Sequence, residues 1–247
     1  ERKTVRDLHL TLVAGRLWGQ LGRLRAASPR PYLMVEGAQL DAGLVWTERN
    51  LTGSLSAFYS RIDDYVLTYV NPAAMGSCGS NPAKCTTFNV DATRYGFEAD
   101  LAWRIAGPWT LRGSYAHVRA DNDTMNVPLA QTPPDELKLG LSYETGAWTF
   151  GGLARVVRRQ DRVQVNYGSI VGQDIGPSGG FATLALNASY RIGKRALLSA
   201  GIDNVFDRTY AEHISRAAAA VAGYDAPTTR VNEPGRFVWA KLSMSFD

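Results

Sequence analysis

Connections of two lengths alternate along this chain, and that alternation restricts its fold more than any other feature. Short turn signals lie near residues 49, 107, 146 and 193, and long polar loops lie near 80, 126, 170 and 220. The segments between them are about ten residues long, the length a tilted strand needs to cross a bilayer. Alternation with period two gives a strand one apolar and one polar face. Between Tyr95 and Ile105 the apolar set is Tyr95, Phe97, Ala99, Leu101, Trp103 and Ile105, and the other set is Gly96, Glu98, Asp100, Ala102 and Arg104. A dry core does not accept those charges unpaired. A sheet with lipid on one side and a wet channel on the other does. The expected fold class is all-β: an antiparallel transmembrane β-barrel segment with short turns at one end and long loops at the other.

The pattern predicts strands at Gln39–Glu48, Leu51–Tyr69, Tyr95–Ile105, Trp109–Val118, Asp135–Glu144, Ala147–Arg158, Phe181–Arg191, Arg195–Asn204 and Gly235–Phe246. A polar loop through the cysteines is expected to run to about Thr93. In the last strand Val238, Ala240, Leu242, Met244 and Phe246 form the apolar set. The count of about nine is odd, whereas single-chain bacterial barrels have even counts. The expectation is therefore the C-terminal part of a larger barrel, because an isolated sheet leaves its edges unpaired in lipid. Residues 1–37 are left unassigned. Leu8, Leu10, Leu12 and Ala14 alternate like a strand, Leu17, Leu21 and Leu24 resemble a basic amphipathic helix, and Ser28-Pro29-Arg30-Pro31 breaks either.

Composition narrows the alternatives. With 20% charged and 45% hydrophobic residues, the chain carries no disorder signature. No run of apolar residues is long enough for a membrane-spanning helix. A net charge of +4, with the densest basic run interrupted by Asp161 and free of interleaved aromatics, argues against nucleic acid as a partner. No leader opens the chain at Glu1-Arg2-Lys3-Thr4, so an exported protein is expected to begin upstream. Cys78 and Cys85 lie in a Gly/Pro/Asn-rich loop. With no histidine nearby and no second Cys pair, a loop-closing disulfide in an oxidising compartment is favoured over a metal pair.

Gly201-Ile202-Asp203-Asn204-Val205-Phe206-Asp207 with Tyr210, then Asn232-Glu233-Pro234-Gly235-Arg236 and the strand to Phe246, resembles the C-terminal signature of TonB-dependent outer-membrane receptors. Gln39–Leu44, Ser56–Tyr59, Ile62–Tyr65, Tyr95–Glu98 and Pro128–Pro134 resemble other parts of that family, so the likeness covers residues 38–247. Asp207–Arg216 and Arg230–Arg236 look most like the copper-receptor branch. The resemblance implies a plugged barrel of about 22 strands in the outer membrane of a Gram-negative bacterium. It implies insertion by the barrel-insertion machinery, contact with outer-membrane lipid, and uptake of copper or a copper chelate driven by the TonB–ExbB–ExbD complex. A ferric-siderophore receptor of the same superfamily and a truncated, non-functional barrel fragment are the alternatives. The plug and upstream strands are not in this sequence, residues 1–37 do not match the family, and the chain ends on Asp247 rather than on the aromatic.

Soft copper prefers thioether, thiolate and imidazole ligands. His117, Met125 and His213 are the candidate metal residues, with Met75, Cys78 and Cys85 as further soft donors. For His213 a solvated loop histidine is the expectation favoured over a metal contact. The copper branch implies that the principal ligands lie outside this chain. Asn204, Asp207, Asn232, Glu233 and Gly235-Arg236 read as loop-geometry residues at strand ends. Asp203, Glu98, Asp100, Arg104, Lys138, Glu144 and Arg155 share the channel face by parity. No catalytic residue, cofactor site or enzyme activity is expected: the Gly pairs at 151 and 179 lack a phosphate-loop sequel, and no Gly-x-Ser-x-Gly or His-Glu-x-x-His occurs.

Overall fold

A computed structural model describes residues 5–17, 35–75, 78, 81, 83–169, 172–215 and 230–245, with side chains from residue 37 onward. Its strands are β1 (Val5–Leu17), β2 (Val35–Glu48), β3 (Leu51–Val70), β4 (Cys85–Ala106), β5 (Trp109–Asn122) and β6 (Val127–Pro128). There follow β7 (Glu136–Thr145), β8 (Trp148–Val157), β9 (Tyr167–Gly168), β10 (Phe181–Ile192), β11 (Ala196–Asp203) and β12 (Phe237–Met244). They form one 12-stranded sheet in the order β1-β2-β3-β4-β5-β7-β8-β10-β11-β12, with β6 on β5 and β9 on β3. Every ladder is antiparallel. Within a ladder the backbone donors and acceptors satisfy one another, which is what a wall immersed in hydrocarbon requires.

Three of the four short connections carry left-handed glycines, Gly107 (φ 51), Gly146 (φ 57) and Gly193 (φ 59). Tight hairpins need such residues so that turn twist matches strand twist. Because register fixes facing, cross-strand partners share a side of the sheet. Leu55, Ala99 and Tyr115 lie in one row, and so do Leu139, Ala154 and Leu184. That side is an apolar band whose large side chains are exposed, among them Leu40, Leu55, Leu139, Phe150, Leu186 and Leu198. At its short-turn end the rings of Trp109 and Tyr143 lie 4.6 Å apart, and those of Trp148 and Tyr190 lie 4.7 Å apart. An exposed apolar band bordered by aromatics is the outward surface of a membrane barrel. The opposite side carries Glu98, Asp100, Arg104, Lys138, Glu144, Arg155 and Asp203, as their shared parity predicts.

Two expectations are corrected. The strand-like alternation of Leu8 to Ala14 is realised as β1, which pairs with β2 from Val5↔Trp46 to Leu17↔Val35, so the sheet extends one strand beyond the expected first. Residues 18–34, with the expected basic helix, lie outside the described residues. The loop expected to run to Thr93 ends instead at Cys85. A register shift between Ile62 and Tyr65, with Asp64 at φ 59, lets β3 and β4 continue past the bilayer-length portion to Val70↔Cys85. The added stretches are rich in β-branched and aromatic residues, which favour a pleated ribbon. Phe246, the last member of the apolar set expected in the final strand, also lies outside the described residues.

Candidate functional site

Beyond the long-loop ends of the strands, the loop after β5 and the loop between β8 and β10 converge on the extended part of β3, β4 and β5, and the last long loop joins them. Leu67, Val90, Ala92 and Ala120 from these strands form a small core with Leu129 and Ala130 of the loop that follows β5, and Tyr65, Phe88 and Tyr167 pack against it. The loop between β8 and β10 reaches across to the edge of β3 that β2 leaves free. There β9 pairs Tyr69↔Tyr167 and Thr68↔Gly168, and Val70 N–H donates to the Asn166 carbonyl at 2.8 Å. A free strand edge is thereby covered, as the unpaired donors and acceptors of an edge require.

The three loops meet at the Asp174 carboxylate, which is 2% exposed. Its Oδ1 accepts from Gln131 N–H at 3.0 Å, its Oδ2 accepts from Gln164 N–H at 2.9 Å, and His213 Nε2 lies 3.4 Å from Oδ1. His213 Nδ1 is 3.0 Å from Ser178 Oγ. Arg230 donates from Nε to the His213 carbonyl at 2.9 Å and from Nη1 to the Pro177 carbonyl at 2.9 Å. Burial pulls the Arg230 guanidinium below its ordinary value, against the opposing pull of Asp174. A carboxylate so placed satisfies loop amides that would otherwise be buried without partners.

Lower on the polar side, Arg155 of β8 joins wall to loop. It donates from Nε to Glu136 Oε1 of β7 at 2.8 Å and from Nη2 to Glu212 Oε2 at 3.1 Å. Lys138 lies 2.8 Å from Glu136. The Arg155 guanidinium also lies 5.1 Å from the centroid of the Phe181 ring, which in turn packs on Tyr210 at 4.2 Å. Burial raises the Tyr210 phenol above its ordinary value. The last long loop is therefore held against the polar side of the sheet.

The sequence-derived candidates fall in different places. His213 is 5% exposed, so the expectation of a solvated loop histidine is overturned: Ser178 and Asp174 enclose it. Met125 Sδ accepts from Gln164 Nε2 at 3.1 Å, which ties it to the same layer through Gln164 and Asp174. His117 stands apart, its Nδ1 2.9 Å from Asp135 Oδ1 and its ring stacked on Phe97 of the apolar side at 5.3 Å. Cys78 and Cys85 are joined in a disulfide. Met75 is 87% exposed. Among the described residues no three His, Cys, Asp or Glu side chains are grouped to hold a metal ion. Asn204 and Asp207 (φ 49 and 54) shape the exit from β11: Asn204 Nδ2 donates to the Arg208 carbonyl at 2.8 Å, and Asp207 Oδ1 accepts from Arg236 N–H at 2.8 Å. The loop hub built on Asp174, Gln131 and Gln164 was not singled out from the sequence, since its contacts join distant loops.

A continuous apolar outer band, a charged inner side and loops folded over one end define one wall of a membrane β-barrel. The chain belongs to the TonB dependent receptor-like beta-barrel family, whose characteristic sequence matches residues 19–205. Members of that family are receptors and transporters of the outer membrane of Gram-negative bacteria that work with TonB, and they are not enzymes. In structure the chain is similar to the copper transporter OprC, with 32% identity and a TM-score of 0.88 over 97% of this chain and 37% of that one. It is similar in fold to the ferric enterobactin receptor PfeA of Pseudomonas aeruginosa, with 21% identity, a TM-score of 0.64, and 86% and 31% of the two chains covered. In sequence it is 27% identical to the ferripyoverdine receptor of Pseudomonas aeruginosa over 156 residues, 61% of this chain and 19% of that protein. The chain thus spans well under half the length of these relatives.

Proposed function

We propose that this chain is part of the wall of an outer-membrane receptor that takes up copper ions or a copper chelate, energised by TonB–ExbB–ExbD. The observation that carries this reading is the 32% identity to a copper transporter across 97% of the chain. The strands from β1 onward supply the wall, so residues 5–17 belong to it together with residues 38–247, and the long loops lie over its mouth. Capture of copper is assigned chiefly to parts of the receptor outside this chain, with Met125 and His213 bordering the path at the loop layer. No bond of the cargo is made or broken. Copper content of copper-limited cells, measured by mass spectrometry with and without the intact receptor gene, tests the assignment. Uptake that depends on both the receptor and TonB supports it, and equal copper content in all strains overturns it.

A second reading, a ferric-siderophore receptor, is favoured by the 27% identity to the ferripyoverdine receptor. Radioiron uptake from ferric pyoverdine and ferric enterobactin in the same strains separates the two: receptor-dependent iron entry without copper entry selects it.

A further inference from the structure

His117, Arg119, Asp135 and Arg158 gather on the apolar side of the sheet, not on the side where the loops fold. Register fixes this placement. His117 pairs with Phe97, Arg119 pairs with Tyr95, and Leu137 pairs with Tyr115 and Val156. Asp135 and Arg158 each lie two residues beyond a member of the last row, and Arg158 N–H continues the ladder to the Asp135 carbonyl at 2.9 Å. The stacking of His117 on Phe97 at 5.3 Å gives the same orientation from side chains. The four residues therefore stand directly above the apolar band at its long-loop end.

Their charges do not balance. The single carboxylate of Asp135 has Arg119 Nη1 at 2.8 Å, Arg158 Nη1 at 3.5 Å and His117 Nδ1 at 2.9 Å. The next carboxylate along β5, Asp121, is itself paired with Arg162. The Asp135 side chain is 6% exposed while that of Arg158 is 73% exposed, so the carboxylate is covered and guanidinium N–H groups are presented outward. Arg158 is thus open to donate to a phosphate, while Arg119, 20% exposed and holding Asp135 through both Nη atoms, adds its positive charge beside it. Tyr95 and Phe97 lie beside Arg119 and His117, and Val156 and then Leu139, each exposed, lie in the rows below as an apolar track.

We propose that this cluster is a docking site for a phosphorylated glycolipid of the outer leaflet. The phosphomonoester accepts from Arg158, drawn also by the positive charge of Arg119, and the acyl chains lie along the apolar band. A lipid is the ligand that carries both parts: an anionic head for the guanidiniums and hydrocarbon for the surface beneath them. Basic side chains at a membrane's anionic face attract headgroups in the same way. The site faces away from the barrel interior, so it is independent of which cargo the receptor imports.

Native mass spectrometry of the purified full-length receptor, titrated with bis-phosphorylated lipid A, tests the site. Losing one charge-assisted hydrogen bond is expected to weaken retention in Arg158→Gln about tenfold, with Arg158→Lys retaining most of it. Fully dephosphorylated lipid A should bind wild type no better than it binds R158Q. R112Q removes the same charge from the opposite side of the sheet and should bind as wild type does. Heat-modifiable migration on gels reports that each variant is folded, which the exposure of Arg158 leads us to expect. Equal retention by wild type and R158Q overturns the proposal, as does equal weakening by R112Q. Displacement of lipid A by an equal concentration of inorganic phosphate overturns it as well, because the site would then bind the free anion.

Discussion

Arg155 and Glu212 are 57 residues apart, yet the guanidinium Nη2 donates to the carboxylate Oε2 at 3.1 Å. That pair fixes the last long loop to the barrel wall, because the same guanidinium is already held by Glu136. Arg155→Ala removes both attachments and leaves Glu136 with Lys138 as its remaining partner.

Glu212→Ala is expected to free the loop while leaving the wall intact. The lost part-buried ion pair is worth roughly 1–3 kcal/mol, so amide exchange over residues 204–215 should rise about tenfold or more. Exchange in β7 and β8 should stay as in wild type, since Arg155 keeps Glu136. Hydrogen exchange read by mass spectrometry on the intact receptor checks this. Unchanged protection of 204–215 would mean that the Asp174 layer alone holds the loop.

Asp174→Ala should loosen all three loops together. The substitution leaves the amides of Gln131 and Gln164 buried without their acceptor, at roughly 1–3 kcal/mol for each unsatisfied group. Ser178→Ala removes only the contact to His213 Nδ1 and should loosen only the last loop. Protease cleavage sites mapped in the two variants distinguish the outcomes: new cuts in 123–134, 158–180 and 204–215 for D174A, against cuts confined to 204–215 for S178A.

The strands were legible in the sequence and the loop layer was not, for one physical reason. Strand facing is a local property, so Tyr95 to Ile105 reveals its two sides within a few residues. Turn glycines such as Gly146 announce themselves in the same way. The strand predicted to run past Ile62 to Tyr69 is present, but the first part of β4, from Cys85 to Thr93, was hidden because Thr86, Thr87, Asn89 and Asp91 read as more of the polar loop before it. His213 looked solvated because its partners lie 35 and more residues away, and no periodicity links a loop residue to Ser178 or Asp174. The charged residues of the polar side were placed by parity, but the role of Arg155 as a tether depends on Glu212, which belongs to no strand.

Acid should weaken the rim contact of Asp135. Burial alone would raise this carboxyl, but the hydrogen bonds and charges of Arg119 and His117 outweigh burial and hold it below its ordinary 3.8. A depressed folded value means the stabilisation is fully present above the unfolded value and is lost as pH falls through the folded one. Wild type should therefore keep this contact at pH 5 and lose it only below about pH 3.8, the ordinary carboxylate value. In Asp135→Asn that part of the acid destabilisation should vanish. Melting temperatures of the two receptors between pH 7 and pH 3 should converge toward the acid end, and parallel curves would show that the charge of Asp135 contributes nothing.

Gly96 shows how closely the sheet is fitted at the boundary between apolar band and loop layer. A Cβ placed there would lie 2.2 Å from the His117 carbonyl oxygen and 2.9 Å from the Phe58 ring. The first contact is backbone, so no side-chain rotation relieves it, and β4 and β5 would have to separate at the Gly96↔Val118 pair. Gly96→Ala is expected to cost about 1–3 kcal/mol, the range for overpacking a fitted interior. A Cβ at Gly179, in the loop before β10, meets nothing within 4 Å, and Gly179→Ala should be close to neutral. The fraction of receptor that resists unfolding in denaturant with detergent, read by heat-modifiable migration, compares the two. Comparable loss in both variants would locate the sensitivity in glycine's backbone freedom, whereas loss in G96A alone locates it in the strand contact.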